Sequence, residues 1–290
     1  MLVAPADPAA SIPVAHAIVL GITQGLSEFL PISSSGHLIV VPWLFGWKEL
    51  TGKANADLNK TFDVALHVGT FIAAVAYFKR DLGRLAAAGL RSIAQRAVRT
   101  PDERLAWLLL LSSIPGAIVG ATLEDFIDEQ LGRIWLIASM LIVFGVVLAV
   151  VDERSRGDKP EEGYGRREAL VMGLAQVAAP SPGVSRSGIT ITAGRAFGFE
   201  RDAAARLSFL MAIPITGGAA LFKGAKLAAG GLPPGTAAAF FWGVVASGVT
   251  GLAAVWLVLR VVRTRSFLPF VVYRVLAGLA VLAVLASPLR

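Results

Sequence analysis

The chain has 290 residues, 55% of them hydrophobic and only 16% charged, with a mean hydropathy of +0.68. Soluble domains carry about 25% charge, so a soluble globular enzyme is excluded; the absence of cysteine excludes disulfides, thiolate metal sites and cysteine catalysis. The net charge of +7 does not point to a nucleic-acid partner, because Lys and Arg gather in the connections between apolar runs.

Residues 14–44 form the first apolar stretch, broken by Pro31 and a Ser33-Ser34-Ser35-Gly36 run. Apolar runs follow at 61–78, 105–121 and 134–151, and again at 207–222, 237–259 and 267–286. Each is close to the ~20 residues that cross a ~30 Å hydrocarbon core. Between the two sets lies 168–194, a second stretch interrupted by Pro180, Pro182, Gly183 and Gly188.

The connections at 79–104, 154–167, 195–206 and 260–265 are basic, and the positive-inside rule places them in the cytoplasm. A short acidic connection with Glu124, Asp125, Asp128 and Glu129 falls outside, as does 46–60. Alternation of six spans then makes 14–44 enter and leave from outside and 168–194 from inside. Both read as re-entrant helix hairpins, ended by proline, which removes a backbone donor.

The two hairpins share a frame. Gln24, Ser33, Ser35 and Gly36 recur as Gln176, Ser185, Ser187 and Gly188 at one offset of 152 residues. Opposite entry sides and a shared frame predict an inverted repeat, with halves near 10–151 and 167–287 in a single membrane domain. Such repeats place their sites at mid-membrane between broken helices. The expected fold is therefore an all-α integral membrane protein, with about six transmembrane helices and two re-entrant hairpins.

Polar backbone at membrane depth is tolerated only where protein buries it or a wet cavity adjoins it, so the two segments form the candidate site. Arg186 on a Ser/Gly loop suits a phosphate oxyanion, which a guanidinium holds bidentately. Ser185, Ser187 and Thr190 add hydroxyl donors, and helix N-termini add positive potential. In the other segment Glu28 and Gln24, four apart, share one helix face and could hold Mg²⁺ or Ca²⁺ through oxygen. His37 can pass protons near neutral pH. Ser33, Ser34 and Ser35 are candidate phosphoryl acceptors, and the residues alone do not choose among them. His67, on an apolar span, reads as a packing residue, and His16 has no evident role.

At these residues the chain resembles the undecaprenyl-diphosphate phosphatase family, the bacitracin-resistance type of membrane enzyme. The resemblance rests on the (Glu/Gln)-x-x-x-Glu motif at Gln24 and Glu28, on the Phe-Leu-Pro-x-Ser-Ser-x-Gly-His run ending at His37, and on Pro182-Gly-x-Ser-Arg-Ser-x-x-Thr190. Supporting matches are Ile114-Pro115, Ile213-Pro214 and Tyr273-Arg274. It implies removal of the terminal phosphate from a polyprenyl diphosphate at the outer face of the bacterial cytoplasmic membrane, assisted by a divalent cation. It also implies roles: Glu28 the essential carboxylate, Ser34 the nucleophile, His37 a proton-transfer group and Arg186 the diphosphate clamp. Ser33, Ser35, Ser185, Ser187 and Thr190 become substrate-binding hydroxyls. Gln24 stands where many members carry Glu, which leaves the cation more dependent on Glu28. Membrane lipid is the expected surrounding partner, and a homo-oligomer is compatible with this reading. The rival class is a transporter or flippase for a lipid phosphate, since inverted repeats are a transporter architecture. Hydroxyl, histidine and carboxylate in one short segment exceed what transport needs.

Overall fold

The computed structural model describes residues 12–50, 56–230, 232 and 234–288, and among the helical residues not the side chains of 57, 124, 125, 128, 129 and 222–230. The described residues form α-helices and no strand, apart from one isolated bridge between Lys159 and Phe199. Among the described residues five helices are long and apolar enough to cross a membrane: α5 (Pro101–Thr122), α7 (Ile134–Arg154), α10 (Arg201–Gly230), α11 (Ala237–Val262) and α12 (Leu268–Ala286). A sixth is α3 (Ala56–Tyr77), taken with α4 (Lys79–Ala94), which bends away from it by 80°. Each apolar run expected from the sequence sits on one of these helices.

Two connections are themselves helical. The basic segment after α3 is mostly α4, which buries Leu85, Ala88 and Ser92 and turns its arginines outward. This is the pattern of a helix lying along a surface. The acidic connection is α6 (Glu124–Leu131); its four acidic side chains lie outside the described residues, as do Lys53 and the rest of 51–55.

The broken stretches are short helix pairs. The first is α1 (Val14–Phe29) with α2 (Ser34–Phe45), the second α8 (Arg166–Ala175) with α9 (Arg186–Ala196). At 16, 12, 10 and 11 residues, none reaches the length of a full span. Their breaks meet inside the bundle: a Cβ added at Gly36 would sit 3.1 Å from the backbone nitrogen of Gly183. A side chain there would wedge the two tips apart.

Helix pairing follows the order of the two sets. α1 packs on α11 as α8 packs on α5; α3 packs on α11 as α10 packs on α5; α3 meets α10, and α7 meets α12. In lipid the hydrophobic effect does not drive such contacts, and close packing of small residues does. Gly25 shows how close: a Cβ there would come within 2.5 Å of the Ser247 carbonyl on α11.

The basic end is knitted by ion pairs. Asp152 at the end of α7 accepts from Arg195 at 2.7 Å and from Arg201 at 3.0 Å. Arg206 reaches Glu161 at 2.8 Å and Asp81 at 3.2 Å. Part of the charge read as loop charge is thus buried pairing, since Arg195 is only 3% exposed.

Candidate active site

The chemistry begins where the two helix pairs break. α1 stops at Phe29, Leu30 turns extended, and the chain re-enters helix at Ser34 through Ser33, whose φ is +77°. In the second pair Ser185 has φ +74° and α9 starts at Arg186. Left-handed backbone at a non-glycine residue costs about 1–3 kcal/mol and survives only where its surroundings fix it. Each serine is fixed in the same way. Ser33 Oγ accepts from Gly36 N, and Ser185 Oγ from Gly188 N at 3.1 Å. The segments also hold each other: Gly183 N donates to Ser33 Oγ at 3.0 Å, and Ser187 Oγ donates to the Leu30 carbonyl at 3.1 Å.

Arg274 completes this frame from α12. It is fully buried and donates to the carbonyls of Pro31 at 3.0 Å, Gly183 at 2.8 Å and Val184 at 3.0 Å, with Leu141 at 3.0 Å on α7. Pro31 and Gly183 are related by the same 152-residue offset as the serines. One guanidinium therefore ties the equivalent carbonyls of both breaks, which lack helical partners of their own. Its signal in the sequence is an arginine inside an apolar span, which marks a buried partner without naming it.

On this frame three expected residues converge. Glu28 Oε1 accepts from Arg186 Nη2 at 2.8 Å. Glu28 Oε2 accepts from Ser34 Oγ at 2.6 Å and from Gln24 Nε2 at 3.1 Å. Arg186 also donates to Thr216 Oγ1 at 3.1 Å. Glu28, Ser34 and Arg186 border a cavity of about 350 Å³, with Ser35, Ser185, His67 and Thr216. Lys60 and Asp63 at the start of α3, and Gly116 and Gly120 near the end of α5, border it as well. The cavity thus opens toward the end of the bundle opposite the basic connections. Next to Glu28 in the chain, Phe29 packs edge-on against Phe209, which packs edge-on against Phe78, within the buried core.

Ser35 and Ser185, also expected, border the cavity, whereas His37, Ser33, Ser187, Thr190 and Gln24 do not. His37 is buried against α12. Since a carbonyl only accepts, its Nδ1 donates to Ser33 O at 2.7 Å, and its Nε2 is hydrogen-bonded to Tyr273 Oη at 2.8 Å. Both ring nitrogens are thus engaged by groups that do not border the cavity. Ser33 serves as a cap, Ser187 holds Leu30, and Thr190 bonds Ser208 at 2.6 Å. Gln24 is fully buried, does not border the cavity and turns an N–H to Glu28.

The histidine that does face the cavity is His67, which the sequence reading left to packing. Its Nδ1 donates to the Asp63 carbonyl at 2.7 Å, and its Nε2 stands 3.7 Å from Glu28 Oε2. Asp63 and His67 are four apart on α3, a shared face that a search for polar pairs within spans would have found.

For a divalent cation, Glu28 fits as a ligand: it borders the cavity, and a carboxylate has about four acceptor positions, of which Arg186, Ser34 and Gln24 use three. Gln24 does not fit. Among the described residues no group of three or more His, Asp or Glu is arranged to hold a metal.

The family model described as bacitracin resistance protein BacA matches residues 17–280. A protein of Pelobacter propionicus named undecaprenyl-diphosphatase is 48% identical over 273 residues, covering 94% of this chain and 97% of its own. One of Geobacter sulfurreducens with the same name is 48% identical over 275 residues, 93% and 97% of the two chains. One from Nocardioides sp., also so named, is 40% identical over 278 residues, 94% and 96%. The chain belongs to the BacA family.

Proposed function

We propose that this protein hydrolyses undecaprenyl diphosphate to the monophosphate and inorganic phosphate, renewing a lipid carrier for cell-wall synthesis. The observation that carries this is the meeting of Ser34, Glu28 and Arg186, from two distant segments, on one cavity among membrane helices. Diphosphate transfer needs positioning and charge neutralisation above all. Arg186 supplies a fork for phosphate oxygens, and the N-termini of α2 and α9 begin at the same place.

When diphosphate enters, its oxygens compete with Glu28 for Arg186. Glu28 then takes the proton of Ser34, whose Oγ attacks the terminal phosphorus. The bond from that phosphorus to the bridging oxygen breaks, and the prenyl monophosphate leaves with the electron pair. Water attacks the phosphoserine; Glu28 returns its proton to the Ser34 oxygen, and both water hydrogens leave on inorganic phosphate. A divalent cation, Mg²⁺ or Ca²⁺, would be held by Glu28 and would supply further charge neutralisation.

The cavity's position opposite the basic connections supports an outer-face site in the bacterial cytoplasmic membrane. The pairing order of the helices supports two inverted halves, 10–151 and 167–287. Purified protein in detergent should release phosphate from undecaprenyl diphosphate, since no transport is possible there. No release would favour a transport role for the cavity. Loss of release in excess chelator supports the cation, and full activity would remove it from the scheme.

A further inference from the structure

A second cavity, of about 570 Å³, lies at the basic end between α5 and α8, and the phosphatase reading does not use it. Its walls are apolar, with Leu111, Ile114 and Leu170 exposed. Arg104 and Arg166 also border it. Neither guanidinium has an acidic partner among the described residues, although carboxylates are close in sequence. Asp102 pairs with Arg84 and Glu168 with Lys159 at 2.6 Å, while Glu103 accepts through Oε2 from the backbone N–H groups of Arg99 and Thr100 and keeps a buried Oε1 that bonds neither arginine. Two cations on one apolar groove attract an anion whose remaining surface is apolar.

The dimensions agree with a lipid of one leaflet. Arg104 and Ile114 are ten residues apart on α5, about 15 Å along a helix axis and about half of a hydrocarbon core. The charged mouth is at the end that the positive-inside rule places in the cytoplasm. Trp107 is fixed in the wall by its bond to Ser92 Oγ at 2.8 Å, at the depth where aromatic rings meet headgroups.

We propose that this groove is a site for one anionic glycerophospholipid of the cytoplasmic leaflet. Its phosphate lies between Arg104 and Arg166, and its chains run along Leu111, Ile114 and Leu170. The site shares α5 with the catalytic cavity: Ser112 and Pro115 border the groove, and Gly116 borders the cavity.

The test is native mass spectrometry of the full-length protein in detergent, titrated separately with phosphatidylglycerol and phosphatidylcholine. The wild type should retain one phosphatidylglycerol with a preference of about tenfold or more, as two nearby arginines provide. The preference should vanish in the double variant Arg104→Gln, Arg166→Gln. It should vanish as well in Leu170→Trp, which fills the groove and leaves both charges in place. Equal retention of the two lipids by the wild type, or an unchanged preference in either variant, would overturn the proposal. Displacement of phosphatidylglycerol by an equal amount of undecaprenyl phosphate would assign the groove to product and overturn it too. None of these readouts depends on phosphatase activity.

Discussion

The two breaks in the membrane helices are alike in backbone and unlike in chemistry. Ser33 and Ser185 share a left-handed φ, a glycine three residues on and a serine cap. The next position separates them. Ser34 and Arg186 stand at the same 152-residue offset and each opens a helix at the cavity, one as a hydroxyl, the other as a guanidinium. Glu28 lies between them and bonds both. The glutamines diverge similarly: Gln24 steadies Glu28, whereas Gln176 donates to the Ser112 carbonyl at 2.8 Å and joins its segment to α5. One backbone device, used twice, brings a nucleophile and an anion clamp to a common point.

Removing the clamp breaks this division most completely. Arg186→Ala should lower phosphate release by at least about 10³-fold, because it removes charge stabilisation and leaves Glu28 without its cation. Arg186→Lys should recover little, since a point charge cannot make the two-pronged contact. The fold should persist, as the breaks are held by Arg274 and the capping serines, although the unpaired buried Glu28 should lower thermal stability in detergent. Near-normal turnover of Arg186→Ala would show that the two segments do not share a site.

On the other side of the pair, Ser34→Ala should cost about 10²- to 10⁴-fold in turnover. Ser35→Ala, which removes a cavity hydroxyl without a bond to Glu28, should cost less. Rapid quench of the wild type should trap phosphate on Ser34. Substantial turnover in Ser34→Ala, with Glu28→Gln dead, would mean that water attacks and Ser34 only orients the substrate.

The fold was legible in the sequence because membrane spans are written in composition: the runs at 105–121 and 134–151 became α5 and α7 nearly residue for residue. The shared Ser-x-Ser-Gly frame announced both breaks, and Glu28, Ser34 and Arg186 met as expected. Less legible was which face of each short helix looks at the cavity. Ser33 and Ser187 carry the right hydroxyls, but the left-handed turn directs one into a cap and the other to Leu30. Arg274 inside an apolar span and the Asp63/His67 spacing on α3 are signals in the sequence, but the partners that give them their roles, distant carbonyls and a carboxylate on another helix, are not encoded by local spacing.

The two histidines give the finest test of that placement. His37 bridges Ser33 and Tyr273 away from the cavity, whereas His67 borders it beside Glu28. If this geometry governs, His37→Asn loses one or two buried hydrogen bonds, about 1 kcal/mol each. Turnover should then fall no more than about tenfold, mainly through looser positioning of Ser33. Tyr273→Phe removes only the outer bond and should mimic the smaller part of that loss. The bond removed in Tyr273→Phe is one that His37→Asn has already lost, so the double variant should be no worse than His37→Asn alone. A fall in His37→Asn as deep as that of Ser34→Ala, with Tyr273→Phe unaffected, would instead return His37 to the reacting groups and contradict its turn toward α12.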